Sequence, residues 1–599
     1  MLLLVMASLA ACRTEGATPA SGKQTAEPPA CPPEQLYDAD GICKSIEAAV
    51  TAVGGTAFWV DARHPAAADT NPGTRDHPWK SISRAANELA AGDGVIIRAG
   101  IYREAIRPTR GGTSPEARIT YAAYPSDVVV VTGADPAPDG WRQTGGQWRR
   151  AWTGDALPAY ASDESGPPEP FRRELVVSNG RVLRPVFRPD AAGPGTVYVE
   201  GPDAAPLSIT VPSPDNIEIG RRDRLFAPVG NDAFGACGTD DQPGFFRVVG
   251  LSFRHAANRA QVGAFCAGSR GSLVEDVRVE WTNGLGMDTS GENHVFRRVE
   301  ASDNGQAGFG GSATQLLLED AAAHRNNWRG HYIWWEAGGG KWVRTERSIF
   351  RRVHMFDNEG VGFWLDMDNR RNVIEDGVFV RNLGAGIMLE WSTTETLVQH
   401  NTVVGTRWND WSGSGILSQA ASHNAIIHNT VVGSEGHGVW LRYDPERRAA
   451  DGDNLVFNNI LWSNAQAPAT GEARELSVED ASLERVRSNQ FSGNIYMHHG
   501  SPRSGWDVAT FFVYPVPGGA PPDYRGSDLH VFQRHIGSGQ RDRVMSRSST
   551  LFVDPSRVDG LILLPEASVR GAAAPLPARF GERFGLPGAP PRAASDPGA

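Results

Sequence analysis

Glycines recur along the second half of this chain at a near-constant interval, and that recurrence limits what it can become. They stand at 286, 308, 330, 362, 386, 415 and 438, with spacings of 22, 22, 32, 24, 29 and 23 residues. A period in the low twenties suits three short strands and three turns per coil, not a helical solenoid. The residues one and three places after each glycine are mostly apolar, as in Phe363 and Leu365, Ile387 and Leu389, and Val439 and Leu441. In a strand these side chains share a face. The pattern predicts an all-β chain wound as a parallel β-helix, with those residues pointing inward.

Asparagines mark the corners. Asn304, Asn326, Asn358 and Asn382 each stand four residues before a glycine, and Asn401, Asn429 and Asn459 recur at another corner. Stacked asparagines satisfy turn backbone that would otherwise be buried without partners, so both sets are read as structural ladders. The coils are expected to end near Tyr496.

Positions two and four after each glycine should face outward. Coil by coil they give Asp288 and Ser290, Gly310 and Ser312, Tyr332 and Trp334, Trp364 and Asp366, Met388 and Glu390, Leu417 and Gln419, and Trp440 and Arg442. Trp335, Glu336 and Trp391 stand beside this row. An exposed aromatic row flanked by carboxylates suits sugar rings, which stack an apolar face and hydrogen-bond with their hydroxyls. Tyr332, Trp334, Trp364, Trp391, Trp440 and Arg442 are therefore the candidate substrate-binding residues. Insertions at 337–347 and 406–413 leave the same wall and would either rim a cleft or cover the aromatics.

Asp366 and Glu390 each stand four residues after a repeat glycine, one turn of the repeat apart. Neighbouring strands lie roughly 4.8 Å apart. Carboxyl groups about 5 to 5.5 Å apart are the arrangement of a retaining glycosidase. Three roles stay open for the pair: catalysis, Ca²⁺ binding, or structure. Asp368 and Asn369 are the candidate cation ligands, as turn residues just past Asp366. No organic cofactor is implied, and Ca²⁺ is the one cofactor left open. No Cys/His spacing suggests zinc.

Composition narrows the class. A net charge of −11 with plentiful Gly (68) and Pro (41) suits a turn-rich β protein and gives no support for nucleic-acid binding. Lysine is scarce: Lys23, Lys44, Lys80 and Lys341 are the four present. The stretch 13–50 reads as a linker, with its first part a disordered tether. Residues 51–137 read as an N-terminal cap with a short helix and the first coils. Residues 138–243 lose the period and read as an inserted small β domain. The main helix runs 244–500, a loop-rich C-terminal cap 501–586, and a disordered tail 587–599. One molecule can present the whole wall, so a monomer is expected.

Three resemblances add to this. Leu9-Ala10-Ala11-Cys12, after a short apolar run, resembles the lipobox of bacterial lipoproteins. It implies a signal peptide over 1–12, lipidation of Cys12, a lipid anchor, and an address on the outer membrane or cell surface. The remaining Cys31, Cys43, Cys237 and Cys266 make an even number for an oxidising compartment. Pairing Cys31 with Cys43 and Cys237 with Cys266 is one of three connectivities.

The order of strand, Asn-Pro-Gly turn, helix and Gly-Asp-Gly before Val95-Ile96-Ile97, then Gly100-Ile-Tyr102, resembles the start of secreted right-handed β-helix proteins of the pectate-lyase type. It implies a right-handed helix of pectin-lyase-like fold. Finally, Trp364-Leu-Asp366-Met-Asp368-Asn369 with Gly386-Ile-Met-Leu-Glu390-Trp-Ser392 is similar to the catalytic stretch of the β-helix β-xylosidases of glycoside hydrolase family 120. That family also carries a β domain inserted in its helix. The resemblance implies Asp366 as nucleophile and Glu390 as acid/base on a polysaccharide or oligosaccharide. Two other functions remain open. A polysaccharide lyase acting on uronates would draw its base or counter-charge from Lys341, Arg442, His331 or His354. A non-catalytic surface β-helix would bind glycans through the aromatics alone.

Overall fold

The computed structural model describes residues 31–32, 34–152, 169–201, 207–230, 236–447, 452–462, 464, 474–497, 511–514, 523–545, 551–552, 561 and 573–577. The chain divides into two compact units, one over 32–373 with 380–388 and one over 374–379 with the residues from 389 onward. Cys12 and the expected tail at 587–599 lie outside the described residues.

In the first unit each coil contributes short strands to three parallel sheets. The first sheet stacks Ala57–Val60, Gly94–Ile97, Ile119–Ala123, Phe246–Val249, Leu273–Glu275, Val295–Arg297, Leu317–Glu319 and Ile349–Arg351 in that order. The second runs from Gly100–Tyr102 to His354–Phe356. The third stacks Gly263–Cys266, Leu285–Asp288, Ala307–Gly311, Gly338–Trp342 and Val361–Leu365. Inward positions pile into columns: Phe226 stacks on Phe265 at 5.1 Å, and Trp342 on Phe363 at 4.8 Å. Phe309, Phe363 and Ile387 are fully buried, as the spacing predicts.

The corner ladder from Asn304 to Asn382 forms. From Asn326 on, each Oδ1 accepts from the backbone N–H and the side-chain Nδ2 of the asparagine one coil earlier, as Asn358 does for Asn326 at 3.1 and 2.9 Å, while Asn304 accepts from the Thr282 hydroxyl. The second unit repeats the device from Asn401 through Asn429 and Asn459 and extends it to Asn494. A further corner carries Asn424, Asn454 and Asn489.

Three boundaries depart from the sequence reading. Residues 35–50 are folded, not linker: Gln35–Tyr37 pairs antiparallel with Cys43–Ser45, and a helix follows at Ile46–Val50. Ile46 and Val50 pack with Trp59, Ile96 and Val249. Buried Arg247 donates to the Ala49 carbonyl at 2.9 Å and the Tyr37 carbonyl at 2.7 Å. The interrupting β domain spans Ala134 to Gly220 as an eight-stranded sheet around Val176, Val197, Ile209 and Ile219. The coils also continue past Tyr496: Phe511–Tyr514 pairs parallel with Leu476–Glu479, and Arg543–Val544 with Ile495–Tyr496. The helix Leu529–Ile536 then covers them, with Phe532 stacked on Phe511 at 4.4 Å.

Candidate functional site

Asp366 directly follows the strand Val361–Leu365 and is 6% exposed. Its backbone N–H donates to the Trp342 carbonyl, which fixes the turn. Its Oδ2 lies 2.9 Å from Lys341 Nζ. Lys341 sits in register beside Trp364 on the neighbouring strand, and its ammonium stands 4.1 Å over that ring. Lys341 also donates to the Trp335 carbonyl.

This placement corrects the register of one coil. Gly339, not Gly330, pairs with Gly308 and Gly362 in the strand ladder, through the flanking pairs Gly338↔Val361 and Ala307↔Gly338. Lys341 is thus a strand residue, not part of an insertion. Tyr332 and Trp334 belong to no strand: Tyr332 precedes the short helix Ile333–Glu336 that carries Trp334. Tyr332 is 56% exposed. Trp334 is half-buried and packs on the Gly384 backbone, where φ is 93° and an added Cβ would meet the indole at 2.9 Å.

Glu390, in the second unit, is the last residue of the strand Ala385–Glu390 and is 2% exposed. Arg447 forms an ion pair with its Oε1. Gln419 Nε2 reaches Glu390 Oε1 at 3.4 Å and Asp444 Oδ2 at 2.9 Å. Asp444 in turn pairs with Arg447 at 3.3 Å and Arg442 at 3.8 Å. The Arg447 guanidinium lies 5.1 Å over the Trp391 ring. Trp391 and Ser392 both have positive φ, 32° and 64°. The same left-handed conformation recurs at other coil corners, as at Trp281, Arg298 and Arg352, so here it marks a turn of the repeat. Trp440 donates its indole N–H to Glu479 at 2.9 Å, and Arg442 lies over Trp411 and Trp440 at 4.7 and 5.5 Å. Burial lowers the Arg442 pKa from its ordinary value.

The expected exposed aromatic row is largely covered. Trp364 is 2% and Trp440 9% exposed, whereas Tyr332 and Trp391 are open. The outward positions are buried because cations and neighbouring loops lie on them, as Lys341 lies on Trp364. Asn369 is not poised for a cation: its Oδ1 accepts from Thr345 N–H at 2.9 Å and its amide donates to the Trp342 carbonyl at 3.2 Å. Asp368 is an exposed turn residue with φ 57°. Among the described residues no three His, Cys, Asp or Glu side chains cluster as metal ligands. His331 is buried against Phe171, and burial takes it down to about 3. His354 lies in the second sheet, away from the strand that leads to Asp366.

Lys341 was legible as the sole lysine past residue 80, but not its contact with Asp366. Arg447 and Asp444 had no sequence signal, because they lie past the strand on a turn outside the repeat. Cys237 and Cys266 form a disulfide with Cα atoms 5.8 Å apart, and Cys31 and Cys43 are also disulfide-bonded.

The family model for a right handed beta helix region matches residues 262–431. The chain is a right-handed parallel β-helix. Its structure resembles that of XylC in complex with xylose, with a TM-score of 0.58, 16% identity, and 76% of this chain and 86% of that chain covered. It is also similar to pectate lyase Pel9A, with a TM-score of 0.37, 11% identity, and 88% and 94% covered. In sequence it matches the uncharacterized protein YwoF of Bacillus subtilis (strain 168), 34% identical over 73 residues. That match spans 12% of this chain and 15% of the length of YwoF.

Proposed function

We propose that this β-helix is a carbohydrate-active enzyme, a retaining glycoside hydrolase in which Asp366 is the nucleophile and Glu390 the acid/base. The observation that carries the reading is the nearly buried Asp366 carboxylate, held by Lys341 and walled by Trp364. A nucleophilic carboxylate must be ionised, fixed and shielded from water. The likeness to XylC, whose structure holds xylose, adds support for a sugar substrate. The two carboxylates stand 24 residues apart in sequence, one turn of the repeat.

In the first step Glu390 gives its proton to the leaving oxygen. An Asp366 oxygen attacks the anomeric carbon, and the bond from that carbon to the leaving oxygen breaks. In the second step Glu390 takes a proton from water. The hydroxyl adds to the anomeric carbon, and the bond to Asp366 breaks. Glu390 begins as the ionised partner of Arg447, so it must first part from that guanidinium and take up a proton from water before it can give one to the leaving oxygen. The contacts of two lyase candidates favour the hydrolase reading. Lys341 donates both to Asp366 and to the Trp335 carbonyl, and His331 is sequestered.

Azide rescue tests the roles. With an activated aryl glycoside of the sugar found by screening neutral oligosaccharides, whose leaving group needs no proton, Glu390→Ala in azide should yield the glycosyl azide with retained configuration, and Asp366→Ala the inverted one. Failure of azide to restore turnover in either variant would remove these assignments.

An export address belongs to the same proposal, with lipidation of Cys12 and a place on the bacterial surface. The Cys237–Cys266 disulfide suits that oxidising compartment.

A further inference from the structure

The third sheet of the first unit has a recess beside Lys341. Asp288, Gly310 and Lys341 stand in one row across three strands. Gly310, Gly311 and Ser312 carry little or no side chain, so the wall falls back between the acid and the lysine. A cavity of about 520 Å³ fills the recess, within the range of roughly 300–1,000 Å³ for small-ligand sites.

The floor is held open by its own chemistry. Asp288 Oδ1 accepts from the Ser290 N–H at 3.0 Å and hydroxyl at 2.6 Å. Gly311 passes these groups at φ 129°, where an added Cβ would come within 2.7 Å of Asp288 Oδ1. Any side chain there would break the hydrogen bonds and fill the recess.

The lining mixes apolar and polar groups, and its charged side chains are mostly acidic: Asp240, Asp288, Glu292 and Glu336 against Lys341 and Arg344. Gln306 also lines it and is 1% exposed. Its Oε1 accepts from the Gln261 N–H at 2.6 Å, while its Nε2 has no partner among the described residues. A buried donor without a partner is costly, and a ligand hydroxyl would satisfy it.

We propose that this cavity is a substrate subsite for one neutral sugar unit, adjoining Asp366 through Lys341. The proposal rests on the hydrolase reading. The carboxylates accept hydrogen bonds from sugar hydroxyls, Gln306 donates to a hydroxyl oxygen, and the glycine floor admits the ring face. The excess of carboxylates repels a uronate, so the site selects against acidic polymers.

The test titrates full-length Glu390→Gln with xylo-, cello-, manno- and galacto-oligosaccharides of two to four units, and with oligogalacturonates. It is repeated in the Ser312→Trp and Glu292→Arg backgrounds. The expected result is binding of a neutral oligosaccharide, weakened at least tenfold by Ser312→Trp. Glu292, on the exposed rim, should on conversion to Arg narrow the preference for neutral over acidic chains. Unchanged binding in a folded Ser312→Trp protein overturns the subsite, as does absence of neutral-sugar binding or tighter binding of uronates. Hydrolysis by the wild-type chain is scored separately. Cleavage insensitive to Ser312→Trp removes the subsite and leaves the hydrolase. Neutral-sugar binding sensitive to Ser312→Trp, with no cleavage by the wild type, removes the hydrolase and leaves a sugar site.

Discussion

Lys341 Nζ lies 2.9 Å from Asp366 Oδ2, and the same ammonium stands 4.1 Å over the Trp364 ring. The two side chains of this ion pair are 13% and 9% exposed. Removing one partner of a buried pair leaves a charge without compensation, which costs about 3 kcal/mol. Lys341→Met should therefore lower unfolding stability by that order in urea. Adding Asp366→Asn should recover part of it, giving a coupling above about 1 kcal/mol in the double-mutant cycle. Additive losses would show that the pair is not coupled.

The asparagine ladder makes a second prediction. Asn358 accepts from the backbone and side chain of Asn326, and donates to the Ala323 carbonyl at 3.0 Å and to Asn382 Oδ1 at 2.8 Å. Asn358→Ala strands several buried partners at once, each worth about 1–3 kcal/mol. A loss of roughly 3 kcal/mol or more is expected in thermal or urea unfolding. A surface-sized change of a few tenths would mean that water replaces the ladder.

Much of this architecture was readable beforehand because its causes are local and periodic. Inward residues such as Phe363 and Ile387, and the corner asparagines, repeat with the coil, so each coil reports on the next. The register at Lys341 was hidden because Gly338-Gly339-Gly340 offers no apolar alternation, which left Gly330 as the apparent repeat glycine. Outward positions were identified by pattern, but pattern cannot reveal what covers them. Trp364 is buried by a lysine on the adjacent strand, and Glu390 meets Arg447 and Asp444, which lie past a strand end. Residues 35–50 looked like linker because their burial depends on distant partners such as Arg247 and Val249.

Acid should destabilise the fold steeply. Burial lowers His255 and His294 to about 4, and His331 and His437 to about 3, from an ordinary 6.5. Below pH 6.5 the unfolded chain takes up protons that the folded chain refuses. Stability is therefore full above that pH and lost as pH falls toward the folded values. Each histidine contributes up to about 1.4 kcal/mol per pH unit. His331→Phe should flatten the slope of stability between pH 6.5 and 4.5 by about one proton. An unchanged slope would place His331 in contact with water.

Asp542 acts in the opposite direction. It ends the ladder of the second unit, accepting from the Asn494 N–H at 2.8 Å and the Tyr496 hydroxyl at 3.0 Å. Burial pushes it up to about 7 from an ordinary 3.8. Between these values the folded chain holds a proton that the unfolded chain releases, so stability falls as pH rises through the window. Asp542→Asn should be near neutral at pH 4 and stabilise the protein by on the order of 2 kcal/mol at pH 8. An equal effect at both pH values would contradict a protonated Asp542.

The most direct test of the central claim is the mass of the products released from a neutral and a uronate oligosaccharide panel in ¹⁸O-labelled water. The hydrolase account predicts sugars carrying one labelled oxygen at the new reducing end, lost in Asp366→Asn and Glu390→Gln. Unsaturated, unlabelled products lighter by one water would contradict it and make the protein a lyase.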